Sequence, residues 1–408
     1  MSQLTPSDHV VVVGAGLAGW RVVESLRRDG FTGEVTLIGD EPHAPYDRPP
    51  LSKQVLSGKW DVAKTTLATS SQLADSAATL RLGVRAIRLD VERTTVELAE
   101  GSLVAGTHVI LATGARARAL HFPAAGELPS LRNHDDVVRL GGVLEGLAPG
   151  GVVAVIGGGF VGAEVATSLT ARGLRPVVLE AAARPLLGVL GEEVSAWLER
   201  LPADAGVELR TNQRLVDVAL VEAGYELLFD DGSRLRANAV LAAVGSALDT
   251  AWLEGSGLTI DDGVVVDADL QAAPNVAAIG DVARFRWTSS LGEELVRIEH
   301  WQVAVDHASH LARYWTTGER PAAPMVPYFW SDQYGKKIQL LGHPHPSDDV
   351  ALVSGTPEEG KWLALFSRDG VVTGIIALSQ PRALMLSREL LTAPTTLDDA
   401  LGLKPWVA

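Results

Sequence analysis

"VVVVGAGLAG" (Val10–Gly19) and "VVAVIGGGFVG" (Val152–Gly162) write one instruction twice. Each is a short apolar run rich in valine, then glycines in G-x-G-x-x-G spacing, then helical sequence, and the first glycines lie 143 residues apart. A helix that opens on such a turn offers bare backbone N–H groups and the positive end of its dipole to a pyrophosphate. Each unit runs on into a second strand that ends in an acid. "VTLIGD" ends at Asp40 and "PVVLE" at Glu180, 21 and 18 residues beyond Gly19 and Gly162. An acid at that strand tip accepts hydrogen bonds from adenosine ribose hydroxyls. The pattern predicts two dinucleotide sites, one on Gly14, Gly16, Gly19 and Asp40, the other on Gly157, Gly159, Gly162 and Glu180.

Further strands surround the repeat. "VILATGARAR" (Val109–Arg118) lies between the two copies, "VLAAVGS" (Val240–Ser246) follows the second, and "NVAAIGD" (Asn275–Asp281) follows that. Local signal alone leaves Asp281 as a turn or N-cap residue. The uncharged window 146–163 has the length of a membrane span, but seven of its eighteen residues are glycine, which reads as strand, turn and helix start. From Pro321 the composition shifts to the proline-rich "RPAAPMVPYFW" (Arg320–Trp330), then alternating strands such as "KKIQLLG" and "WLALFS", then a helical end, which predicts a separate α+β module.

The 408 residues, 47% of them hydrophobic, suffice for two or three domains with real cores. Fifty acids against 35 bases, a net charge of -15, argue against nucleic acid as a partner. Met1 to His9 has neither a basic segment nor an apolar core, so no signal peptide, no membrane association and a cytoplasmic location are expected. The absence of cysteine excludes disulfides, thiolate metal sites, cysteine-held iron–sulfur clusters and redox thiols within the chain. No metal site is expected, and redox chemistry requires a bound cofactor.

Both fingerprints, "ATG" (Ala112–Gly114), "YDRPPLSK" (Tyr46–Lys53), "IGD" (Ile279–Asp281), "RIEHW" (Arg297–Trp301) and "FWSDQ" (Phe329–Gln333) together resemble the FAD-dependent, NADH-using ferredoxin reductases of bacterial oxygenase systems. The resemblance implies a glutathione-reductase-like α/β fold with two dinucleotide-binding domains and a C-terminal α+β domain. The FAD domain would be discontinuous (1–114 and 243–318), with an NAD domain at 115–242 and an interface domain at 319–408. It implies that Ala18, Asp40, Arg48, Lys53, Ala86, Ala112, Gly114, Arg132, Asp281 and Trp301 contact FAD, with Gly14, Gly16 and Gly19 at its pyrophosphate. Gly157, Gly159, Gly162 and Glu180 would hold NADH, the acid favouring a free 2'-hydroxyl over a phosphate despite Arg184 nearby. Phe160, Glu164 and Glu299 would stand near the nicotinamide, Lys53 and Glu164 would pair beside the flavin, and Trp330 would cover its edge. Read without the resemblance, Lys53 and Arg48 are solvated loop cations, Glu164 a helix-surface acid and Trp330 a core residue.

The implied chemistry is hydride transfer from NADH to the flavin, then two one-electron transfers to a [2Fe-2S] ferredoxin serving a cytochrome P450 or a ring-hydroxylating dioxygenase. A rubredoxin or quinone reductase of the same superfamily, or a redox sensor like apoptosis-inducing factor, are the alternatives. Ferredoxins are usually acidic, which gives meaning to a local feature. From Arg320 to His345, Arg320, Lys336 and Lys337 face one acid, Asp332, a surplus of two positive charges in an acidic chain. Lys336 and Lys337 either dock the ferredoxin or form a solvated strand end that also protects an edge strand.

Overall fold

The computed structural model describes residues 3–289, 291–320 and 325–407. Pro321 to Pro324, where the compositional shift begins, lie outside them. Two compact units form. The first comprises Met1–Asp47, Thr66–Arg116 and Leu248–Phe329, and the second Arg48–Thr65, Ala117–Ala247 and Trp330–Ala408.

A six-stranded sheet organises the first unit, in the order Gln271–Ala273, Val276–Ala278, His108–Leu111, His9–Val13, Glu34–Gly39, Thr79–Leu82. All its pairings are parallel except that of the outermost Gln271–Ala273. Val10, Val11 and Val12 are each 0% exposed, so consecutive side chains, which point to opposite faces, are both covered. That is why the strand is an unbroken valine run and not an alternation. Helix Leu17–Arg28, opened by the first glycine turn, packs against helix Trp301–Thr317.

The second unit repeats the theme on a smaller scale. Its parallel sheet runs Glu208–Arg210, Arg175–Leu179, Val152–Ile156, Ala239–Ala242, and the second glycine turn leads into helix Phe160–Ala171. The uncharged window is thus strand, turn and helix. No helix among the described residues is long and apolar enough to cross a membrane.

The C-terminal strands form a five-stranded sheet in the order Tyr328–Gln333, Lys336–Gly342, Val371–Leu378, Lys361–Arg368, Asp349–Thr356. Lys336 and Lys337 stand at a strand end, as the first two residues of Lys336–Gly342, but that strand is second in the sheet and Tyr328–Gln333 is the edge, so they guard no edge. Helix Leu187–Leu198 fastens this sheet to the rest of its unit. Gly191, at φ +76°, brings the helix so close to Pro346 that a Cβ would lie 2.2 Å from the Pro346 carbonyl oxygen. Trp197 meets Trp362 edge-on with ring centroids 5.1 Å apart.

Candidate active site

The two glycine turns match bond for bond. Gly14 N–H donates to Ile38 O at 2.7 Å, and Gly157 N–H to Leu179 O at 2.8 Å. A Cβ on Gly14 would lie 2.1 Å from Ala112 O, and one on Gly157 2.3 Å from Ala243 O. A Cβ on Gly19 would lie 1.8 Å from Gly14 O, and one on Gly162 2.0 Å from Gly157 O. The middle glycines behave differently: a Cβ on Gly16 or Gly159 would meet nothing within 4 Å. Outer glycines therefore lock strand, turn and helix together, while the middle ones leave open space at the helix N-termini. That space, at the positive end of each helix dipole, fits a pyrophosphate.

The strand-tip acids are held ready. Asp40, about half exposed, pairs with Arg116 at 3.0 Å, and Arg116 also pairs with Asp249 at 3.0 Å. Glu180 accepts from Gly158 N–H and Ala182 N–H, each at 2.8 Å, which fixes its carboxylate at the second turn. Arg184 is occupied by two acids, Glu192 and Glu199, the latter at 2.9 Å. Arg116 was not foreseen from sequence although it lies inside the quoted "ATGARAR" stretch, because nothing local shows that it reaches Asp40.

Lys53 and Glu164 form an ion pair at 2.7 Å. Lys53 sits in a π-helical turn, Leu51–Val55, with bonds from Val55 N to Pro50 O at 3.0 Å and from Leu56 N to Leu51 O at 3.1 Å. Single π turns concentrate at functional sites. This one turns two consecutive side chains onto one carboxylate: Ser52 Oγ donates to Glu164 Oε2 at 2.6 Å, beside the Lys53 ammonium. Ser331 Oγ donates to the other oxygen, Oε1, at 2.6 Å. Glu164 is 5% exposed, so it is no helix-surface acid, and Lys53, with its side chain 14% exposed, is no solvated loop cation.

Helix Phe160–Ala171 carries the rest of the clamp. Ser168 Oγ donates to Ser52 O at 2.7 Å, and Tyr334 N–H donates to Thr167 Oγ1 at 2.8 Å. Ser52 and Ser331 lie within the quoted motifs, yet a contact spanning 112 or 167 residues leaves no local signal. Trp330, next to Ser331, is half-buried and not a core residue.

Comparison with known proteins decides the family. The pattern of the pyridine nucleotide-disulphide oxidoreductases matches residues 8–308, and that of the reductase C-terminal domain matches residues 328–405. The chain belongs to the pyridine nucleotide-disulphide oxidoreductase family. Within it, the chain groups with ferredoxin reductases. It is 32% identical over 397 residues, 97% of this chain and 95% of the relative, to the ferredoxin reductase component of chlorobenzene dioxygenase from Cupriavidus sp. (strain PS12). It is 33% identical to rhodocoxin reductase of Rhodococcus erythropolis over 396 residues, 96% of this chain and 91% of the relative. Among solved structures, a covalent putidaredoxin reductase–putidaredoxin complex matches with a TM-score of 0.89 at 30% identity, covering 95% of this chain and 94% of that one. FAD and NAD(H) are the cofactors, and a ferredoxin is the partner, of this ferredoxin reductase group.

In the first unit, Ala18 is buried at the start of its helix, Ala112 and Gly114 follow strand His108–Leu111, and Asp281 lies in the short turn Gly280–Val282. Trp301 begins its helix and donates from Nε1 to Asp47 Oδ1 at 2.8 Å, while Glu299 pairs with Arg297. Ala86 opens a separate three-stranded sheet. In the second unit, Arg48 Nη1 donates to Arg132 O at 2.9 Å, and Phe160 is the first residue of its helix.

The basic patch is weaker than its sequence implies. Arg320 forms a two-pronged bond to Asp269, 2.6 Å on each prong, and that guanidinium holds the Asp269 carboxyl below the ordinary carboxylate range. Lys337 pairs with Asp332 at 2.7 Å. The surplus of two charges counted along the sequence is corrected accordingly, since one of its three cations is neutralised by an acid 51 residues away.

Proposed function

We propose that the chain is an NADH-dependent ferredoxin reductase that delivers electrons to an acidic [2Fe-2S] ferredoxin supplying an oxygenase, a cytochrome P450 or a ring-hydroxylating dioxygenase. The observation that carries this reading is the duplicated, open glycine cradle in a chain without cysteine. Two dinucleotides fit, and the thiol chemistry of disulphide reductases does not. FAD, when bound, accepts an electron pair from NADH and releases the electrons singly to an iron–sulfur acceptor.

The chain's residues bind and orient. Gly14, Gly16 and Gly19 receive the FAD pyrophosphate, Asp40 the ribose and Asp281 the ribityl or phosphate region, with Ala18, Arg48, Ala86, Ala112, Gly114, Arg132 and Trp301 lining the cofactor. Gly157, Gly159 and Gly162 receive NADH. Lys53, held by Glu164, sets a positive charge where negative charge develops on the reduced ring. Phe160, Glu164 and Glu299 face the nicotinamide, and Trp330 covers the ring edge. The domains are then 1–114 with 243–318 for FAD, 115–242 for NAD and 319–408 for the interface.

The donor is tested at Glu180. Its carboxylate accepts from a 2'-hydroxyl and repels a 2'-phosphate, and Arg184 is already engaged by acids. Glu180→Ala is expected to lower the ratio of kcat/KM for NADH over NADPH by about tenfold or more. Wild-type protein that uses both equally would remove Glu180 from this role.

The acceptor is tested at Lys336 and Lys337. The purified protein is expected to be yellow and to bleach on anaerobic titration with NADH. Lys336→Glu with Lys337→Glu is expected to slow ferredoxin reduction in stopped flow while leaving flavin reduction by NADH nearly unchanged. Because a Debye length is about 10 Å at 0.1 M salt, raising ionic strength should slow the wild type more than the double variant. Equal salt slopes would move the docking surface elsewhere.

A further inference from the structure

His307 sits where a leucine would be better suited if packing were its only task. It lies on helix Trp301–Thr317, is 3% exposed, and meets the Phe285 ring edge-on with centroids 4.4 Å apart. Its Nε2 has no hydrogen-bond partner among the described residues, an uncompensated polar burial. Burial, helped by the charge of His310, lowers its pKa to about 3, so the ring is neutral near pH 7. Its Nδ1 accepts from Gly280 N–H at 3.2 Å, which leaves the ring proton on the unpartnered Nε2.

Gly280 is under tight constraint. Its φ is +68°, and a Cβ there would lie 3.0 Å from the Ala18 Cβ, so the turn lies close against the helix that follows the first glycine cradle. Ile279 N–H is taken by Leu111 O at 2.9 Å. The next N–H, that of Gly280, goes to His307, and the residue after it is Asp281. We infer that His307 is a positioning residue for FAD: its imidazole accepts from Gly280 and fixes the turn that presents Asp281 to the cofactor. This rests on the reading of Asp281 as an FAD residue.

The test strips the flavin and titrates FAD back by fluorescence quenching, with melting of the apoproteins alongside. His307→Leu is expected to weaken FAD binding about tenfold or more, because the turn that presents Asp281 loses the bond that holds it in place. Its apoprotein should melt near the wild-type temperature, since removal of the orphaned Nε2 donor is offset by the loss of the acceptor for Gly280 N–H. His307→Asn places Oδ1 near the position of Nδ1 and should bind FAD within about threefold of wild type, although the smaller side chain leaves a cavity and lowers the melting point. A residue that merely fills the core would give the reverse order. Unchanged FAD affinity in His307→Leu, or lost affinity in His307→Asn, overturns the inference, and the asparagine variant decides alone if the leucine variant does not fold. Wild-type apoprotein that takes up no FAD would instead sink the reading of the site on which this rests.

Discussion

Glu164→Ala is expected to lower the melting temperature by something on the order of 10 °C, since breaking one side of a buried ion pair costs about 3–5 kcal/mol. The substitution strands three donors at once: the Lys53 ammonium and the hydroxyls of Ser52 and Ser331, all of which end on this one carboxylate. Of these, Lys53 keeps a bond to Pro49 O at 3.1 Å, too little to solvate a buried charge, and Ser52 Oγ keeps a long one to the same oxygen at 3.4 Å. Lys53→Met should be costly for the complementary reason. The double variant Lys53→Met with Glu164→Leu should melt above either single variant, because an apolar pair carries no desolvation penalty. Both single variants should also slow reduction of the flavin by NADH about 10²-fold, the usual scale for removing one preorganised electrostatic group. Thermal unfolding by circular dichroism and stopped-flow flavin bleaching measure the two effects. Additive losses in the double variant would mean that the pair does not act as a unit.

What the sequence made legible divides along physical lines. The glycine fingerprints could be read because each is a local device, complete within about ten residues, and the valine run of Val10 to Val13 announces a strand covered on both faces. Asp40 and Glu180 were legible for the same reason, each being the end of a strand that the fingerprint predicts. The π turn was not. Two prolines and a serine in "YDRPPLSK" look like a loop, and only the closing bonds onto Pro50 and Leu51 show otherwise.

Long-range partnerships were hidden as well. Ser331 reaches Glu164, and Arg320 reaches Asp269, through folding that no window of sequence contains. A charge balance along one stretch of chain takes no account of acids that reach it from elsewhere, as Asp269 reaches Arg320. His307 would have been taken from sequence as one more polar residue on an amphipathic helix.

The glycine triplets yield the sharpest division between folding and binding. Gly162→Ala would drive a methyl group to 2.0 Å from Gly157 O, against backbone that cannot retreat without separating helix from strand. Overpacking of this kind costs 1–3 kcal/mol where side chains can yield and more where only backbone is available, so loss of soluble protein or a large fall in melting temperature is expected. Gly159→Ala is different in kind. Its Cβ would meet nothing within 4 Å, and its backbone, at φ -74°, is one that alanine adopts readily. The fold and the FAD site should therefore survive, and the protein should remain yellow. The methyl would stand in the open space before helix Phe160–Ala171, the place proposed for the NADH pyrophosphate, so KM for NADH should rise at least about tenfold. In the first copy, Gly16→Ala should spare the fold in the same way but release FAD. A Gly159→Ala protein that binds NADH normally would show that the second cradle holds no dinucleotide, and one that turns colourless would show that the two cradles have been assigned to the wrong cofactors.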